Sequence, residues 1–106
     1  MTKNKVIKEF IHFFKSYNKD NVLEDTFLKG YCYQFAVILR ERFDGEIFLE
    51  PVEGHFVTKI NSRYWDIRGD VTNLYKDKNL QSKDSYLRMD NVVKGCILKN
   101  LYYENP

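Results

Sequence analysis

The stretch that decides the fold reads GYCYQFA (residues 30–36), and two later stretches complete it, GHF (54–56) and YWD (64–66). Apolar residues within and after the first stretch recur at intervals of three and four, which predicts a helix from about Tyr31 to Phe43. Cys32 lies in the first turn of that helix, on its apolar stripe. The stretch therefore predicts a helix that packs on a core and carries a thiol at its N-terminal end.

Three strands are predicted after this helix. They are rich in β-branched and aromatic residues and span Glu46–Glu50, Gly54–Ile60 and Arg63–Ile67. Asn61-Ser62 separates the last two strands, and a pair of this type is typical of a tight hairpin turn. The predicted fold class is therefore α+β, with helices packed on a small antiparallel sheet.

A two-residue hairpin loop fixes which side chains meet across the strands. Ile60 then faces Arg63, and Val57 faces Asp66. His55 shares a face with Val57, because side chains alternate along a strand with period two. Asp66 therefore lies one diagonal step from His55, within reach of the imidazole.

The same register places a second apolar set on the other face of the hairpin. Its members are Phe56, Thr58, Ile60, Trp65 and Ile67. Because both faces carry large side chains, we expect the first helix or the C-terminal segment to pack on the side opposite the second helix.

The remainder of the chain is predicted in less detail. Residues 3–17 have the apolar spacing of an amphipathic helix. Asp44-Gly45 should end the second helix, with the glycine in a left-handed cap. Residues 70–85 are polar, which predicts a long loop with one helical turn near Leu74 and Tyr75. Residues 86–103 could form a short helix or one more strand.

Length and composition indicate one soluble domain. The chain has 106 residues, of which 43% are hydrophobic and 30% charged, and its net charge is only +2. This near balance argues against a nucleic-acid or anionic-membrane partner. No apolar run has the length of a membrane span or the pattern of a signal peptide, so a cytoplasmic location is expected. Cys32 and Cys96 form no metal or redox spacing, and neither a metal nor a cofactor is predicted.

Cys32, His55 and Asp66 are the residues whose types and order suit thiol chemistry. A thiol becomes nucleophilic when a base and a positive potential convert it to a thiolate, and a helix N-terminus supplies such a potential. A histidine can take the thiol proton, and a carboxylate behind the ring fixes its orientation. The three residues are therefore predicted to form a catalytic triad.

These three stretches resemble the papain-like and transglutaminase-like superfamily of cysteine enzymes. The resemblance covers residues 28–69 and rests on Gly30-Tyr-Cys32, Gly54-His55 and Trp65-Asp66. It implies a helix that carries the nucleophile, adjacent strands that carry its partners, and acyl transfer on a protein or peptide-like substrate. The bond attacked would be a peptide, isopeptide or amide bond. The backbone N–H of Cys32 would donate to the oxyanion, with Asn18 and Asn21 as nominal second donors.

Each residue also has a purely structural interpretation. Cys32 could be a small core residue, His55 a hydrogen-bonded structural group, and Asp66 a turn cap or a partner of Arg63 or Arg68. The alternative function is therefore a catalytically inactive binding module of the same fold, such as a phage or mobile-element protein that sequesters a host factor.

Overall fold

A computed structural model of the chain describes residues 2–16, 28 and 31–86. Two longer helices come first, α1 (Lys3–Ser16) and α2 (Cys32–Phe43). Four strands and two short helices follow, in the order β1 (Glu46–Glu50), β2 (His55–Ile60), β3 (Arg63–Asp66), β4 (Gly69–Asp70), α3 (Thr72–Tyr75) and α4 (Lys83–Tyr86). The strands form one antiparallel sheet in the order β1-β2-β3-β4. The predicted α+β class is confirmed.

The β2–β3 hairpin has the predicted two-residue loop. Asn61 and Ser62 both adopt positive φ, at 55° and 65°. Two successive left-handed residues match the turn whose twist suits the flanking strands. Ile60 pairs with Arg63, as the two-residue loop requires.

Both long helices pack on the same face of the sheet. In α2, the backbone carbonyl of Ala36 accepts a 2.9 Å hydrogen bond from the Thr58 hydroxyl, and Phe56 lies in one buried cluster with Cys32 and Ala36. A second cluster joins both helices to this face through Ile7, Ile11, Phe35, Leu39, Ile60, Trp65 and Ile67.

Of the two alternatives expected for the side opposite α2, the first helix or the C-terminal segment, α1 is excluded by this packing. That side is covered by residues that follow the sheet, since Val57 packs with Val71 and Tyr75, with Leu80 beside them. The sequence shows that both faces are apolar but not which segment covers each one. Because α1 and α2 both have broad apolar faces, they can share one side of the sheet.

In the turn after α2, the left-handed residue lies one position earlier than predicted. Asp44, with φ 58° and ψ 57°, is the left-handed cap, and its N–H donates to the carbonyl of Arg40. Aspartate tolerates this conformation better than most residues. Gly45 is needed for a different reason. A Cβ there would lie 2.7 Å from side-chain atoms of Thr58 and Ile60.

The region after β3 contains the predicted helical turn and two elements that were not predicted. Helix α3 includes Leu74 and Tyr75, as expected, whereas β4 and α4 were not predicted. Leu49 also exchanges backbone hydrogen bonds with Gln81, which ties this loop to β1. The predicted helix or strand over residues 86–103 lies outside the described residues, apart from Tyr86.

Candidate active site

Cys32 is the first residue of α2, as predicted. It is 6% exposed and packs among Tyr33, Ala36 and Phe56. Its Sγ lies 3.9 Å from the carbonyl oxygen of Gly54, the residue immediately before β2. The N-terminal end of α2 therefore meets the sheet at the end of β2 that begins with His55.

His55 and Asp66 make the predicted contact. His55 is the first residue of β2 and Asp66 the last residue of β3, and they are only 5% and 3% exposed. Nε2 of the imidazole lies 2.8 Å from Oδ2 of the carboxylate. The hairpin count identified this pair correctly because the loop length and the alternation of side chains fix the geometry.

The thiol and the imidazole approach from different layers. Phe56 packs toward α2, so alternation along β2 places His55 on the other face of the sheet. Among the described residues, the hydrogen bonds of His55 do not include one to Cys32. The thiol contacts the carbonyl of Gly54, the residue that precedes His55 at the end of β2.

Arg68 is a site residue that the triad prediction did not include. Its Nε lies 3.1 Å and its Nη2 2.5 Å from Oδ2 of Asp66, and its backbone N–H donates to Oδ1 at 2.8 Å. Sequence reasoning named Arg68 only as a structural partner for Asp66. The sequence feature that could identify Arg68 is its position two residues after Asp66, where a tight turn brings the side chain back to the carboxylate.

The pKa of Asp66 follows from these contacts. Burial acts to raise it, but hydrogen bonds from His55 and Arg68 and the charge of Arg68 outweigh burial and hold the pKa below its ordinary value. Asp66 is therefore ionised at neutral pH. An ionised carboxylate at Nε2 favours the imidazole tautomer that has its proton on Nε2.

Tyr75 extends the cluster away from Asp66. Its hydroxyl accepts a hydrogen bond from Nη2 of Arg68 at 3.0 Å and donates to Oε2 of Glu53 at 3.2 Å. Its ring stacks on His55, with centroids 5.9 Å apart. Burial and the nearby charges of Glu53 and Asp66 raise the pKa of Tyr75 to about 12, against the opposing effect of Arg68. The phenol is therefore neutral at pH 7, and no sequence motif connects it with His55.

Glu50 fixes the turn that precedes His55. It is buried at the end of β1 and pairs with His55 across the sheet. Its carboxylate accepts hydrogen bonds from the backbone N–H groups of Val52 at 3.0 Å and Glu53 at 2.7 Å. The position of the Gly54 carbonyl beside Cys32 is thereby set by a buried side chain.

The remaining predictions concern a second oxyanion donor, the second cysteine, a metal site and a membrane span. Asn18, Asn21 and Cys96 lie outside the described residues. In the part of the chain that the structure describes, no three His, Cys, Asp or Glu residues are grouped as they would be around a metal ion. None of the helices described there combines the length and apolar character needed to cross a membrane.

Comparison with known proteins identifies a family. The family model described as phage YunG-like protein matches residues 9–98, which is most of the chain. The chain therefore belongs to the phage YunG-like family. No curated protein and no solved structure matches it. The comparisons thus identify neither a papain-like nor a transglutaminase-like relative.

Proposed function

We propose that this chain catalyses cysteine-dependent acyl transfer, with Cys32 as nucleophile, His55 as base and acid, and Asp66 as the orienting carboxylate. The observation that carries the proposal is the 2.8 Å contact between His55 and Asp66, formed at the end of β2 where the Cys32 thiol meets the chain. The substrate class is a peptide, isopeptide or amide bond in a protein or peptide-like molecule, acted on in the cytoplasm.

The contact between Asp66 and Nε2 of His55 supports different proposed roles for the two ring nitrogens. Because Asp66 accepts the proton carried by Nε2, the lone pair of the neutral ring lies on Nδ1. Nδ1 is then the atom that takes the thiol proton. Catalytic hydrogen bonds are often long in a site without substrate and shorten when substrate binds. In the structure the thiol and the imidazole lie on opposite faces of the sheet, so this proton transfer requires the two groups to meet around the end of β2 when substrate binds.

The reaction then proceeds in two steps, acylation of Cys32 and transfer of the acyl group from Cys32. The Cys32 thiolate attacks the carbonyl carbon, and the resulting oxyanion accepts a hydrogen bond from the backbone N–H of Cys32. The imidazolium of His55 returns its proton to the departing amine, which leaves a thioester on Cys32. A water molecule or an acceptor amine gives a proton to His55 and attacks the thioester. The acyl group then leaves as a carboxylic acid or a new amide, and His55 returns the proton to the Cys32 thiolate.

The experiment that tests this proposal is trapping of the thioester. The chain is mixed with p-nitrophenyl acetate, an activated acyl donor, and analysed by intact mass and peptide mapping. We expect one acetyl group on Cys32, formed with release of p-nitrophenolate, and at least about tenfold slower release in His55→Ala, since general-base catalysis contributes about 10²–10⁴-fold. Acetylation confined to lysines, at the same rate in Cys32→Ser, would overturn the proposal.

One observation favours a second candidate, the catalytically inactive binding module. Cys32, His55 and Asp66 are all buried, and His55 and Asp66 lie in a hydrogen-bonded cluster with Arg68 and Tyr75. Such a cluster can have a purely structural role, in which it holds β2, β3 and α3 together. The second candidate predicts that Cys32→Ser and the unchanged chain acquire acetyl groups equally, whereas loss of His55 lowers the free energy of unfolding.

A further inference from the structure

A cavity lies between α1 and residues 68–70, where the chain turns from β3 into β4. Its volume is about 270 Å³, well above what a single water molecule requires. The lining residues are Lys8, Ile11, His12, Lys15, Arg68, Gly69 and Asp70. Lys8, His12 and Lys15 are four and three positions apart, so they lie on one face of α1.

The residues that line this cavity carry an excess of positive charge. Among the described residues, no carboxylate forms an ion pair with Lys8 or Lys15. Asp70 supplies the carboxylate of the lining, but Arg63 already pairs with its Oδ2. Its Oδ1 accepts hydrogen bonds from the backbone N–H of Thr72 at 3.0 Å and from the Thr72 hydroxyl at 2.7 Å. The two lysines therefore have no local counter-charge from Asp70.

Arg68 contributes further donors to the same lining. Its Nε and Nη2 are used by Asp66 and Tyr75, whereas Nη1 has no hydrogen bond to any described residue. The side chain is 32% exposed. The hydrogen bonds of Nε and Nη2 hold the guanidinium in place, and the two N–H groups of Nη1 can donate to an oxyanion. The side chain is therefore preorganised to bind one.

We propose that this cavity binds a phosphate group, either inorganic phosphate or the phosphate of a small phosphate monoester. A phosphate carries up to two negative charges and several acceptor oxygens, so it suits two lysine ammonium groups and the remaining donors of Arg68. The bound group would neighbour the His55–Asp66 pair through Arg68. The proposal does not depend on acyl transfer by Cys32.

The test is a calorimetric titration of the full chain with inorganic phosphate and, separately, with adenosine 5′-monophosphate, at constant ionic strength. We expect saturable binding that weakens about tenfold or more in the Lys8→Gln/Lys15→Gln variant, as expected for the loss of charge-assisted hydrogen bonds. The matched control, Lys3→Gln/Lys5→Gln, removes the same charge from α1 outside the cavity and should change the affinity less than about twofold.

The comparison of the two probes identifies the source of the phosphate. Tighter binding of the nucleotide assigns the site to a phosphate monoester, and equal or tighter binding of inorganic phosphate assigns it to the free anion. Either result supports the proposal if it depends on Lys8 and Lys15. Absence of saturable binding, or equal weakening by the two double substitutions, would overturn it.

Discussion

At the scale of single residues, Asp66 connects His55 with Arg68. Its carboxylate accepts from the imidazole of His55 and from the guanidinium of Arg68, and it is almost fully buried. A buried carboxylate is costly unless it is paired and hydrogen-bonded, and both requirements are met here. The same contacts that would orient His55 for catalysis therefore also stabilise the fold.

The pH dependence of stability follows from the lowered pKa of Asp66. A carboxyl whose folded pKa lies below its unfolded value stabilises the fold above the unfolded value, about 4, and this contribution is lost as pH falls through the folded pKa. We expect the free energy of unfolding to decrease at pH values lower than about 4. Asp66→Asn should lower it by about 3 kcal/mol at pH 7, because Arg68 then lacks its buried partner.

Urea unfolding at a series of pH values measures both effects. The control is Asp77→Asn, a substitution of an exposed aspartate, which should leave the stability at pH 7 within about 0.5 kcal/mol. If the acid-induced loss of stability were as large in Asp66→Asn as in the unchanged chain, Asp66 would not be its source.

At the scale of elements, the β2–β3 hairpin determines whether His55 meets Asp66. Its loop has two residues with positive φ, Asn61 and Ser62. A one-residue change in register would move one of the two site side chains to the other face. The turn is therefore the element on which the site depends most directly.

The turn can be tested with a pair of substitutions at Ser62. Ser62→Gly creates the Asn-Gly pair that this turn type prefers, and we expect it to raise the free energy of unfolding by about 0.5–1 kcal/mol. Ser62→Ala retains a Cβ at φ 65° and should give no increase. Equal stabilisation by both substitutions in thermal or urea unfolding would contradict the left-handed conformation of Ser62.

The sequence predicts those elements whose geometry depends on local spacing. The bounds of α2 and β1, the hairpin loop and the His55–Asp66 contact all follow from helical periodicity, strand alternation and one turn. The sequence leaves α1 and the C-terminal segment as alternatives for the side opposite α2, because packing on either face of an apolar sheet satisfies the same pattern. Tyr75 was not predicted as a neighbour of His55 because the periodic signal weakens beyond Gly69. Arg68, two residues from Asp66, was considered only as a structural partner.

At the scale of the whole molecule, the site lies where three parts of the fold meet. The N-terminal end of α2 supplies Cys32, the hairpin supplies His55 and Asp66, and α3 covers the imidazole with Tyr75. Helices α1 and α2 lie on one face of the sheet and the imidazole on the other, so thiol and imidazole can meet only around the end of β2. The central claim is therefore that Cys32 and His55 act as one pair across this end of the sheet.

The pH-dependent rate of Cys32 alkylation by iodoacetamide tests that claim most directly. A Cys96→Ser background leaves Cys32 as the one thiol. An ordinary thiol, with a pKa of about 8.5, is only about 1% thiolate at pH 6.5. We predict alkylation of the folded chain at pH 6.5 that is about tenfold or more faster than that of a free thiol. His55→Gln, which keeps a hydrogen-bonding side chain beside Asp66, should remove this advantage, and His12→Ala should keep it. A rate at or below that of a free thiol, or one unchanged in His55→Gln, would contradict the claim.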